Sequence, residues 1–149
     1  MKAVPNCGMV VVTDITGNVN DIHPRNKRDV GQRLARWARA KNYGEKDLVH
    51  SGPIYKSMTV NNSKVTLHFE HAGGGLKALD DKPLSQFKIA GADKKFVPAT
   101  ATVVGDTVVV HAEGVSAPKA VRFAWHETVV GNLGNAEGLP ASPFRTDSW

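Results

Sequence analysis

Among the six histidines, His23 stands where an imidazole could move protons. It ends a polar stretch, Asp14 to His23, that follows the apolar, β-branched run Met9 to Thr13 and precedes a helical pattern opened by Pro24. In open α/β sheets, active sites gather at the carboxyl ends of strands, which is the place this order gives His23. A neutral imidazole there can take a hydroxyl proton and later return it to a leaving group. A neighbouring carboxylate, Asp21 or Asp14, could hold its tautomer. The competing reading is that Asp21 caps the helix region and His23 packs in the turn.

Other chemically equipped residues point to structure rather than reaction. His68-Phe69-Glu70-His71 has the side chains of a zinc site, but strand alternation sends His68 and His71 to opposite faces. It also lacks the helical His-Glu-x-x-His order. The run Gly73 to Gly75 lacks the Gly-Lys-Ser/Thr ending of a phosphate loop and reads as a turn with unusual backbone angles. Trp125, Trp149 and Tyr55 could stack on sugar rings or pack in a core or interface. The lone Cys7 excludes an internal disulfide and reads as a small buried apolar residue rather than a reactive thiol. Neither a metal nor an organic cofactor is expected.

The elements that must position His23 come in two periodicities. Met9 to Thr13 reads as a strand buried on both faces of a parallel sheet. Asp14 to His23 is the turn, rich in asparagine and aspartate suited to tight geometry. After Pro24, helical spacing puts Val30, Leu34, Trp37 and Ala38 on one face. Arg28, Gln32, Arg36 and Arg39 fall on the other, and Gly44 is the stop. From Ser51 onward the period is two: Val65 to Phe69, Phe87 to Ile89, Phe96-Val97, Thr102 to Val104, Thr107 to His111 and Val121 to Trp125. Turn signals separate these short strands, which predicts an antiparallel sandwich. Asn132 to Trp149, with Gly138, Pro140 and Pro143, reads as an ordered loop or terminal extension.

A chain of 149 residues with 41% hydrophobic and 22% charged residues has a folding, non-disordered composition. No stretch approaches the ~20 apolar residues of a membrane-spanning helix, so no membrane partner is expected. The net charge of +5 is concentrated between Arg25 and Lys41. Without a reading motif, that face is expected to be solvated surface rather than a nucleic-acid site. The short Met9–Val12 run is not a signal peptide's apolar segment.

Together, several blocks resemble the sialate O-acetylesterases, in the SGNH (GDSL-like) hydrolase superfamily. They are Asp21-Ile22-His23-Pro24-Arg25-Asn26-Lys27, then Val30-Gly31-Gln32-Arg33-Leu34-Ala35, and Ser51-Gly52-Pro53-Ile54-Tyr55. Gly73-Gly74-Gly75-Leu76, Phe87-Lys88-Ile89-Ala90-Gly91, Val121-Arg122-Phe123-Ala124-Trp125 and Glu137 to Asp147 continue the likeness. The resemblance implies the C-terminal part of a serine esterase that removes acetyl groups from sugar hydroxyls. Residues 1–50 would then be the terminal strand–loop–helix of an α/β/α hydrolase domain. Residues 51–149 would be an antiparallel β-sandwich with a C-terminal extension, giving an α/β plus all-β chain.

The family's catalytic histidine maps onto His23. Its acid partner maps less directly: the superfamily usually has aspartate three residues before the histidine, and Asn20 is there. Asp21 is two before, so Asp21, Asp14 or a backbone carbonyl would orient the imidazole. The Gly-Asp-Ser nucleophile block and the oxyanion-hole residues are absent from these residues, as is a Gly-x-Ser-x-Gly elbow. Gly17-Asn18-Val19-Asn20-Asp21 has one residue too many to be the family's Gly-x-Asn-Asp block. The expected partners are therefore an O-acetylated carbohydrate and an N-terminal catalytic portion, without which the chain would be inactive. Glycan-directed relatives are often exported, which implies a periplasmic or extracellular setting. A non-catalytic sandwich module that binds carbohydrate or protein is the alternative.

Overall fold

The computed structural model describes residues 7–149 and contains one α-helix followed by ten short strands, all antiparallel. The helix α1, Lys27–Lys41, starts three residues after Pro24. Asn26 sets that boundary: its Oδ1 accepts the Asp29 amide at 3.1 Å, while its Nδ2 donates to Asp29 Oδ2 at 2.7 Å. At the other end Gly44 takes the left-handed φ of 81° expected of a helix stop.

The strands are β1 (Ile54–Asn61), β2 (Lys64–Glu70), β3 (Leu76–Ala78), β4 (Phe87–Ala90) and β5 (Phe96–Pro98), then β6 (Thr100–Val104), β7 (Thr107–His111), β8 (Ala120–Phe123), β9 (Leu133–Asn135) and β10 (Phe144–Arg145). They form a sheet β1-β2-β7-β6, a facing sheet β10-β8-β4-β5 and a two-stranded ribbon β3-β9. Alternation supplies the core. Val65 and Leu67 of β2 and Val108 and Val110 of β7 are fully buried against Ile89, Val121 and Phe123 of the second sheet. Phe144 ties the two sheets together, stacking on Tyr55 with centroids 4.9 Å apart and touching Phe69 and Phe123. Tyr55 is thus a packing residue, and burial pushes its phenol up.

Four expectations need correction. Met9 to Thr13 is not paired with any strand among the described residues, and Thr13–Ile15 closes into a 3-10 turn. A strand is held by ladder hydrogen bonds, and no neighbour lies alongside to make them; the Val11 carbonyl is taken by Arg33 instead. The strand expected over Val121 to Trp125 ends at Phe123, because Ala124 adopts a φ of 46° that leaves the ladder. The tail from Asn132 onward contains β9 and β10, and its Leu133, Asn135, Ala141 and Phe144 are buried. Cys7, expected to be buried, is exposed.

The helix leans on the sandwich through one stripe. Trp37 meets the edge of His50, which in turn meets His71 with centroids 5.3 Å apart. Arg36, expected on the solvent face, is half-buried and donates from Nε to the Val49 carbonyl at 3.0 Å. On the apolar face Val30, Trp37 and Ala38 are half-buried, but Leu34 remains 49% exposed. Met9, Ile22 and Tyr43 are also exposed.

Candidate active-site loop

The loop that carries His23 is shaped by its own short polar side chains. Thr16 Oγ1 donates to the Asn18 carbonyl, and the Asn20 amide donates to Asn18 Oδ1. The His23 amide donates to Asp21 Oδ1 at 2.8 Å. Such side-chain turns are why asparagine and aspartate crowd this stretch. Asp21 therefore grips the backbone of His23, with its Oδ1 3.8 Å from Nδ1 of the ring. The imidazole itself is 84% exposed. A cleft of about 400 Å³ lies against the loop, lined by Ile15, Gly17, Asn18, Asp21, Pro24, Arg25 and Asn26.

Asp14 is turned to another partner. Both of its oxygens accept from the Arg33 guanidinium at 2.6 Å, and the same guanidinium donates to the Val11 carbonyl at 2.7 Å. Both side chains are largely covered, 11% exposed for Arg33 and 18% for Asp14. This two-pronged clamp joins the helix to the segment leading into the loop, in the planar geometry that arginine and carboxylate favour. Asp14 is thereby occupied, which leaves Asp21 as the carboxylate beside the imidazole.

Arg33 is the residue that the sequence pattern did not single out for a role. Its signal was present: Val30, Arg33 and Trp37 are three and four residues apart and share one helix face. An arginine inside an apolar stripe needs a partner, and Asp14 is that partner.

The other candidates separate. His68 lies 3.4 Å from Thr59 Oγ1, whereas His71 packs on His50. Among the described residues no three histidine, cysteine, aspartate or glutamate side chains converge as a metal site. The glycine run holds a protein carboxylate: the Gly74 amide donates to Glu137 Oε1 at 2.9 Å, and a Cβ on Gly73, at φ 60°, would collide with Glu137. Trp125 is half-exposed, and Trp149 is 42% exposed beneath the Lys94 ammonium.

The chain was compared with known proteins, and no family model matches it. It is 30% identical over 129 residues to the sialate O-acetylesterases of Mus musculus and Rattus norvegicus. The match covers 82% of this chain and 24% of each relative. A crystal structure of a carbohydrate acetylesterase from Xanthomonas citri superposes with a TM-score of 0.93 at 46% identity, covering 99% of this chain and 34% of that one. The chain thus spans about a quarter of the curated relatives' length and a third of the bacterial enzyme's. By sequence and by fold, the chain is thus similar to the matching part of carbohydrate acetylesterases, among them the sialate O-acetylesterases.

Proposed function

We propose that this chain supplies the histidine loop and the β-sandwich of a serine-type carbohydrate esterase that removes O-acetyl groups from sialic acid or a related sugar. On this reading residues 1–50 complete a hydrolase domain whose nucleophile and oxyanion hole lie outside these 149 residues. Residues 51–149 are its sandwich. The observation that carries the reading is the His23 imidazole, open to solvent on a loop tied down by Asp21 and by the Arg33–Asp14 clamp.

The chemistry assigned to His23 is proton transfer in two directions. Its ring takes the proton of the serine hydroxyl as that oxygen attacks the acetyl carbonyl, and returns it to the sugar oxygen as the ester bond breaks. The acetyl-serine is then hydrolysed by a water that His23 deprotonates, releasing acetate. Asp21 is the orienting carboxylate: its Oδ1 is 3.8 Å from Nδ1, and a small rotation of the ring would bring the two into hydrogen-bond range.

Acetate release from O-acetylated sialic acid tests this. The 149-residue chain alone is expected to release none and to resist a serine-reactive fluorophosphonate, because base and nucleophile work as a unit. Reconstituted with the nucleophile-bearing part of an acetylesterase of the family, it should turn over, and His23→Ala should cut the rate by about 10²–10⁴-fold. Turnover by the chain alone, with one serine labelled, would place the nucleophile inside these residues and overturn the proposal.

A further inference from the structure

We propose that the cleft beside Trp125 is a binding site for a sugar bearing a carboxylate. None of its residues belongs to the histidine loop, so the inference does not rest on the role assigned to His23.

The case begins with charge. Across β10, β8 and β4 the register sets Arg145 opposite Arg122 and Arg122 opposite Lys88. Three like charges side by side on one sheet are unfavourable unless something neutralises them. Asp147 serves the two arginines, bidentate to Arg122 at 2.9 and 2.7 Å and 3.6 Å from Arg145 Nε. Its side chain is wholly buried and makes no ion pair with Lys88. The Lys88 ammonium has no ion pair among the described residues. The row therefore carries three cations and one carboxylate.

Lys88 and Arg122 of that row line a cavity of about 370 Å³ together with Gln86, Phe96, Trp125 and His126, and no carboxylate is among its lining residues. The volume falls within the ~300–1,000 Å³ of small-molecule sites. Arg122 is already fixed, its guanidinium 3.9 Å from the Phe96 ring centre. Trp125 is 50% exposed, an apolar plate of the kind that stacks on a sugar ring. At His126, Nδ1 accepts from the Thr128 amide at 3.2 Å, so in the neutral ring the proton sits on Nε2, free to donate to a ligand.

The backbone is shaped to match. Gln86 and Ala124 both take left-handed φ angles, 64° and 46°, and the Ala124 amide donates to the Gln86 carbonyl at 3.0 Å. Two non-glycine residues in this region, locked to each other where β4 begins and β8 ends, redirect the chain at the cleft. An aromatic plate, an unpaired ammonium, an imidazole donor and an amide side chain fit one ligand chemistry. It is a pyranose with a carboxylate, whether a uronic or a nonulosonic acid.

The test titrates the ¹⁵N-labelled 149-residue chain with trigalacturonic acid, N-acetylneuraminic acid, neutral xylotriose and sodium acetate, following the Trp125 indole N–H. At least one acidic sugar should move that signal and bind about tenfold or more tighter than xylotriose, with acetate alone causing no comparable shift. Whichever of the two binds tighter identifies the acid. Lys88→Gln should erase the preference over xylotriose, and Trp125→Ala should abolish binding of both sugar types; both residues are exposed, and thermal melts check that the variants fold. Equal binding of xylotriose, an acetate shift as large as the sugars', or an unmoved Trp125 signal with every sugar would each overturn the assignment.

Discussion

Asp147 takes both arms of Arg122 with a side chain that has no solvent exposure, whereas the His23 ring stands almost free. Hydrogen bonding from Arg122, opposed by burial, holds the Asp147 carboxyl below the usual carboxylate range. A depressed folded value means that the ion pair stabilises the sandwich above the unfolded pKa of about 3.9, and that this stability is lost as pH falls through the lower folded value. Urea unfolding should therefore show a marked loss of stability below about pH 4. Asp147→Asn should remove much of that acid dependence and cost about 1.5–3 kcal/mol at pH 7, since Arg122 and Arg145 would lose their carboxylate. Unchanged urea midpoints at pH 7 would deny the pair its structural role.

At the scale of elements, the clamp between Arg33 and Asp14 replaces the sheet hydrogen bonds that Met9 to Thr13 lacks. Arg33→Lys keeps the charge and loses the fork. Amide exchange at Ile15, whose N–H bonds the Val12 carbonyl, should accelerate about tenfold, the equivalent of ~1.4 kcal/mol. The sandwich amides should be unaffected. In the tail, Leu133 is fully buried in β9, so Leu133→Ala should cost about 2–5 kcal/mol in urea unfolding, as a core leucine does. A surface-loop leucine would cost far less.

These same elements show what the sequence carried. The strands of the two sheets were legible where alternation was clear, as in Val65-Thr66-Leu67 and Thr107 to His111, whereas the eight-residue β1 was missed, its alternation broken by Lys56 and by the register shift between Tyr55 and Ser57. The three-residue β3 and β9 and the two-residue β10 are too short for any period to register, and prolines around them argue for loop. Their burial follows from distant partners: Asn135 Nδ2 donates to the Ser51 carbonyl, and Asn132 Nδ2 to Asp80 and Pro83. The block Asp21 to Lys27 identified the candidate loop. The commitment of Asp14 to Arg33 was hidden, because a contact across 19 positions leaves no local pattern.

For the whole molecule, the sandwich is closed around its core while the helix end is not. Leu34, Met9, Ile22 and Tyr43 expose apolar surface around an unpaired β-branched run. Large exposed apolar side chains of this kind, where they gather, mark an interaction site or drive association. The purified chain should enhance the fluorescence of a hydrophobic dye or sediment above monomer mass. On the proposed function, addition of a nucleophile-bearing part from an acetylesterase should suppress both effects; a dye-silent monomer would count against a covering partner.

The order in which the sandwich is stitched also bears on its synthesis. β10 pairs with β8, β9 with β3, and Asp147 neutralises Arg122 from a position 25 residues further along the chain. A polypeptide leaving the ribosome amino end first would thus expose Phe123, Tyr55 and the β3 edge until Phe144 and Asp147 emerge. Folding of the sandwich therefore waits until residues 133–147 have emerged, and a nascent chain stalled before residue 133 would be a substrate for chaperones and proteases.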